Sequence, residues 1–100
     1  MDRYILLSGA NGGIGSNILR SLLNEGYKVI SLDISNSNIK DLSTAFIKCD
    51  VTNQKELESA HKEILKITPS LYAIINTIGI FKMQSIIEGS AEDFKKFSNF

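Results

Sequence analysis

The chain has 100 residues, 43% of them hydrophobic and 22% charged, and its 11 basic and 11 acidic side chains cancel at neutral pH. That length suits one small domain, and the composition is that of a folded globular chain rather than a disordered one. Balanced charge without a basic block offers no footprint for nucleic acid or an anionic membrane, and a single cysteine, Cys49, excludes an internal disulfide and a multi-cysteine metal site.

In chain order, residues 3–7 read as a short buried strand, apolar and closed by glycine. The stretch SGANGGIG, residues 8–15, then holds four of the seven glycines in the chain. Glycine at that density weakens strand and helix alike, so the stretch is predicted to be a turn with a special backbone requirement. Over residues 14–24, Ile14, Ile18 and Leu22 recur at every fourth position, with Leu19 and Leu23 widening an amphipathic helical stripe. Gly26 is placed to close that helix in a left-handed cap. KVISL, residues 28–32, is a second strand ending at Asp33. Residues 35–42 read as a loop with about one helical turn, and residues 44–48 as a third strand.

Asn53 is predicted to cap the next helix, with Glu56 three residues on in a variant of the capping box. Leu57, Ala60, His61, Ile64 and Leu65 form its apolar face, and Pro69 stops it. LYAII, residues 71–75, is a fourth strand, apolar throughout and expected to be buried on both faces. A loop containing Phe81 and Met83 follows, and Ser90 begins a last helix with Asp93 in its first turn. Strands alternating with helices require crossover connections, which predicts an α/β fold with a parallel sheet covered on both faces.

In such a sheet, ligands bind beyond the carboxyl ends of the strands, where the first strand-to-helix turn points backbone N–H groups and a positive helix end outward. SGANGGIG occupies that turn. A cradle for a phosphate is therefore expected, the alternative being a glycine-rich turn without a ligand. A Walker-type loop is excluded because no lysine follows these glycines. G-x-G-x-x-G fails as well, since its third place from Gly13 and Gly15 falls on Ile18. The spacing that fits is G-x-x-x-G-x-G on Gly9, Gly13 and Gly15, and Gly12 also permits G-x-x-G-x-x-G. Asp33 stands 18 residues past Gly15, where an acidic side chain can accept hydrogen bonds from an adenosine ribose and repel a 2′-phosphate. No Arg or Lys occurs from Asp33 to Ile39 to favour that phosphate. The alternative for Asp33 is a solvated residue ending a strand.

SGANGGIG resembles the TGxxxGIG motif of the short-chain dehydrogenase/reductase family, with Ser8 in the place of the usual Thr. Cys49-Asp50-Val51 resembles the family's D-V pair after the third strand, and Asn76-Thr77-Ile78-Gly79 resembles its NNAG segment, with Thr77 and Ile78 departing. The resemblance implies a Rossmann-type doubly wound parallel sheet, truncated after about four strands, with residues 1–100 as the amino-terminal part of one NAD(P)-binding unit. It implies an NAD(P)-dependent oxidoreductase, with NAD favoured over NADP by Asp33. Gly9, Asn11, Gly12, Gly13, Ile14 and Gly15 would meet the pyrophosphate, and Asp33 the ribose. Asp50 and Val51 would bind the cofactor, Asp50 accepting from the adenine amino group; a turn or cap role is the alternative for Asp50. Asn76 and Gly79 would lie along the nicotinamide-side ribose.

The family reaction needs a Tyr-x-x-x-Lys pair. Four residues after Tyr4, Tyr27 and Tyr72 stand Ser8, Ser31 and Asn76, so no catalytic residue is assigned and these 100 residues alone are expected to be inactive. The family's helix asparagine, seven residues past an aromatic, would follow Phe94 at the position immediately after Phe100; Asn99 is two residues early. The chain is therefore expected to be the amino-terminal portion of a longer enzyme that acts on a small-molecule substrate. The alternatives are a non-catalytic dinucleotide sensor or an inactive truncated product. His61 reads as a packed helix residue, and Cys49 as a strand residue. With no metal site, no signal-peptide core and no membrane-length apolar span, a cytoplasmic protein is expected, and a homo-oligomer is left open.

Overall fold

The computed structural model describes residues 2–39 and 42–77. Within them the elements run β1 Tyr4–Ser8, α1 Gly13–Asn24, β2 Lys28–Asp33, β3 Ala45–Lys48, α2 Gln54–Ile67 and β4 Ala73–Asn76. The strands are parallel and lie in the order β3-β2-β1-β4, with Tyr4 opposite Lys28, Ile5 opposite Ala73 and Ile30 opposite Ala45. The chain steps outward from β1 through β2 to β3, then returns across the sheet to β4 on the other side of β1. That reversal makes a topological switch point between β1 and β4, where a crevice opens at the carboxyl ends of the strands.

Period-two alternation divides the apolar residues between two layers. Leu7 and Val29 face α1, where they pack with Ala10, Leu19 and Ile39. Leu6, Ile30 and Leu32 face the opposite way, toward Leu57, Ala60 and Ile64 of α2. Leu6, Leu7 and Leu19 are 0–1% exposed, and burying each contributes about 1.5–3 kcal/mol. The doubly wound architecture expected from the sequence is present. The connection from β2 to β3 runs over the α1 face, with Ile39 buried in that layer. Ser43 meets the Ser31 hydroxyl of β2, and the Thr44 hydroxyl accepts the Val29 N–H at 2.9 Å.

Gly26 closes α1 at φ +92°. Its N–H donates to the Leu23 carbonyl at 3.0 Å and that of Tyr27 to Leu22 at 3.1 Å, the paired bonds of a Schellman cap. At the start of α2, the Asn53 side chain accepts from the N–H groups of Lys55 and Glu56. The reciprocal half of the expected capping box is different. Glu56 Oε1 accepts the Asp50 N–H at 2.8 Å, while the Asn53 N–H donates to the Asp50 carbonyl at 2.9 Å. The turn before the helix brings Asp50 within reach of Glu56 and leaves Asn53 already satisfied.

Two expectations are corrected. Ile14, assigned to the apolar stripe of α1, is 73% exposed. The face of α1 that touches the sheet runs through Gly15, Leu19 and Leu22, and Ile14 stands about 100° round the helix axis from Gly15. The fourth strand is not buried on both faces. Leu71 is fully buried but precedes β4, Tyr72 is 52% exposed, and Ile74 and Ile75 reach only the margins of the two core layers. Among the described residues, β4 has a strand on one side alone, so less of the core covers it. Ile78, Gly79, the Phe81–Met83 loop and the helix expected from Ser90 lie outside the described residues.

Candidate functional site

The glycine turn sits at the switch point because β1 ends there and α1 must start at once. Gly9 takes φ +77°, a left-handed conformation that other residues adopt only at a cost. It lets the chain reverse directly out of β1. Gly15 is needed for a different reason: a Cβ on it would lie 1.9 Å from the Gly9 carbonyl oxygen and 3.0 Å from Ala10 Cα. The helix therefore rests on the strand end through bare backbone. Gly13 is the converse, for a Cβ there would meet nothing within 4 Å. Gly12, the N-cap residue of α1, would make only an ordinary contact at 3.5 Å.

No side chain caps α1, and no acidic residue stands in its first turn. Its leading N–H groups and the positive end of its dipole thus face the crevice, the arrangement that favours an anion. Ile14, in the first turn of the same helix, has its side chain exposed. A dinucleotide is the group that the sequence implied, and the residues fit it. The space at Gly13 is clear, the helix end is uncapped, and a carboxylate stands beside the turn. That carboxylate belongs to Asp33. Its Oδ2 accepts the Asn11 N–H at 2.9 Å and its Oδ1 the Ile34 N–H at 2.7 Å. Each oxygen keeps further acceptor capacity for a hydroxyl.

Asn11 joins two loops, a role its position in the motif did not reveal. Asn38 donates from its N–H to Asn11 Oδ1 at 2.6 Å and from Nδ2 to the Asn11 carbonyl at 2.9 Å. On the other side of the crevice, Ser8 Oγ donates to Asn76 Oδ1 at 2.7 Å, tying β1 to β4 at their ends. Thr77 adds its hydroxyl, which donates to the Ser8 carbonyl at 2.8 Å and also lies 3.2 Å from that of Gly9. A hydroxyl therefore braces the glycine turn where the resembled motif carries an amide.

Asp50 follows β3 and closes a turn. Its Oδ1 accepts from the Thr52 hydroxyl at 2.6 Å and the Thr52 N–H at 3.0 Å. Those two bonds, the hydroxyl first, hold its pKa below the ordinary value. Val51 packs its side chain into the α2 core layer. Cys49 is 1% exposed in the same layer. Burial, followed by the charges of Glu56 and Asp50, pushes its thiol up to about 11, so it remains protonated and unreactive at neutral pH. Gly79, expected beside Asn76, is outside the described residues.

A family model described as short chain dehydrogenase matches residues 3–100. Dehydrogenase/reductase SDR family member 11 of Bos taurus is 26% identical over 109 residues, an alignment spanning 98% of this chain and 43% of that protein. Among solved structures, the ligand-free aldohexose dehydrogenase of Thermoplasma acidophilum superposes with a TM-score of 0.67 at 34% identity, over 79% of this chain and 30% of that one. A 4-hydroxyisoleucine dehydrogenase complexed with NADH gives a TM-score of 0.69 at 28% identity, over 79% of this chain and 35% of its own. The chain thus spans less than half the length of each of these proteins.

Proposed function

The chain belongs to the short chain dehydrogenase family, and from that premise we propose that it is the cofactor-binding part of an NAD-preferring oxidoreductase. The complete enzyme would act on a carbonyl or alcohol carbon of a small molecule. The observation that carries the cofactor reading is the Asp33 carboxylate hydrogen-bonded to the Asn11 N–H at the mouth of the glycine turn. The similarity to a dehydrogenase solved with NADH supports a nicotinamide cofactor.

In this reading, the uncapped N–H groups of α1 and the glycine turn hold the pyrophosphate, with Gly13 leaving room for it and Ile14 flanking it. Asp33 accepts hydrogen bonds from the adenosine ribose, and its charge opposes a 2′-phosphate. Asp50 accepts from the adenine amino group through the oxygen that Thr52 leaves open. Asn76 borders the nicotinamide side. When bound, the nicotinamide supplies or takes up the hydride; these residues orient it and do no chemistry themselves. No tyrosine of the chain has a lysine four residues on. We therefore expect no turnover from these 100 residues alone; a dinucleotide sensor is the second reading. A cytoplasmic location is part of the same proposal.

Fluorescence titration of the full chain with NADH and NADPH tests it. NADH is expected to bind more tightly, and Asp33→Ala to narrow the gap by about 1–3 kcal/mol, the scale of a charge-assisted hydrogen bond together with removed repulsion. Equal affinity for the two reduced cofactors would sink the role given to Asp33.

A further inference from the structure

We infer that Asn11 and Asn38 are positioning residues that set how strictly Asp33 discriminates between dinucleotides with and without a 2′-phosphate. This rests on the reading of Asp33 as the ribose acceptor. Asp33 is the last residue of β2, and the five residues after it are exposed. A carboxylate at such a site discriminates poorly on its own, because it can rotate away from a phosphate and the loop can retreat with it. Discrimination against a competing ligand requires that the repelling group be unable to move.

Here the carboxylate is held at both oxygens, by the Asn11 and Ile34 N–H groups. The Asn11 peptide is in turn held by its partner. Asn38 donates its N–H to the Asn11 side chain and its own side chain to the Asn11 carbonyl, at 2.6 and 2.9 Å. Asn11 Nδ2 adds a long contact of 3.4 Å to Ser37 Oγ. Two amides suit this task because each offers a donor and an acceptor without a charge. A lysine or arginine in either place would attract the phosphate that Asp33 repels.

The clip also engages the nearby cation. Arg20 of α1 donates to the Ser16 and Asn38 carbonyls, both at 3.3 Å. With the loop in place, part of its donor capacity is spent on backbone. Opening the Asn11–Asn38 pair loosens the loop, and with it the hold on the Asn11 peptide that positions the carboxylate and on this guanidinium, and each change lowers the barrier to a 2′-phosphate.

The experiment is calorimetric titration of the full chain with NAD and NADP, on the wild type and on Asn11→Ala, Asn38→Ala and Asp33→Asn. The readout is the ratio of the two affinities, which a loss of fold stability alone would not shift. Each asparagine variant is expected to reduce the ratio by about three- to tenfold, the span produced by losing one or two hydrogen bonds of ordinary net strength. If Asp33→Asn collapses the ratio while both asparagine variants keep the wild-type value, the positioning role is wrong and the Asp33 assignment stands. If Asp33→Asn itself leaves the ratio unchanged, the Asp33 reading falls and this inference with it. Should Asn11→Ala fail to fold, Asn38→Ala, on an exposed turn, decides the matter alone.

Discussion

Gly13 and Gly15 stand two residues apart in one helical turn, yet the surroundings ask opposite things of them. A methyl group on Gly15 would have to occupy space within 1.9 Å of the Gly9 carbonyl oxygen, and that neighbour is backbone at the end of a central strand. Gly15→Ala is therefore expected to destabilise the chain by about 1–3 kcal/mol through overpacking, and Gly15→Val by more. A methyl group on Gly13 would meet nothing within 4 Å, and replacing glycine by alanine in a helix stabilises by no more than about 1 kcal/mol. Gly13→Ala should keep or slightly raise the melting temperature while weakening NADH, since the methyl enters the space given to the pyrophosphate. Thermal melts paired with NADH titration separate the two cases. Wild-type affinity in Gly13→Ala would show that no ligand comes close to that position.

At the level of elements, the start of α2 rests on one side chain, for Asn53 accepts from both Lys55 and Glu56 N–H groups. Asn53→Ala should cost about 1 kcal/mol, and Asn53→Asp far less, because only the second retains an acceptor. Urea unfolding of the two variants checks this, and equal midpoints would mean that the cap is not what starts the helix. This element was legible because an N-cap residue and the apolar spacing behind it are local signals. The partner of Glu56 was not, since the turn that brings Asp50 within its reach is a matter of three-dimensional shape. Ile14 misled for a related reason. Helical spacing counts apolar residues, but the face that touches the sheet was chosen by a glycine, Gly15, whose value lies in having no side chain. In the fourth strand, the run LYAII signalled burial without distinguishing Leu71, buried ahead of the strand, from residues inside it. Asn11 was singled out as part of the turn, whereas its pairing with a residue 27 positions away leaves no mark in a linear pattern of loop asparagines.

For the molecule as a whole, the sheet order determines where the fold is strong. β1 and β2 have a strand on each side, whereas β3 and β4 have one neighbour each among the described residues. Since Tyr72 donates its N–H to the Tyr4 carbonyl of β1, alternation leaves the N–H and C=O of Ala73 and Ile75 on the side away from β1, a template for another strand that apolar side chains make favourable. A domain of this size buries a smaller share of its surface than a larger one, so little stability is in reserve to suppress such association. The 100-residue chain is expected to elute at larger apparent mass as its concentration rises. Amide exchange should be slowest at Leu6, Leu7, Val29 and Ile30, which are 0–1% exposed in the two inner strands, and measurably faster at Ala73 and Ile75. Size-exclusion chromatography across a concentration series and residue-resolved exchange on the same sample read both effects. A monomer peak independent of concentration, with Ala73 and Ile75 as protected as Leu6 and Leu7, would mean that the outer edge of β4 is covered within the chain itself.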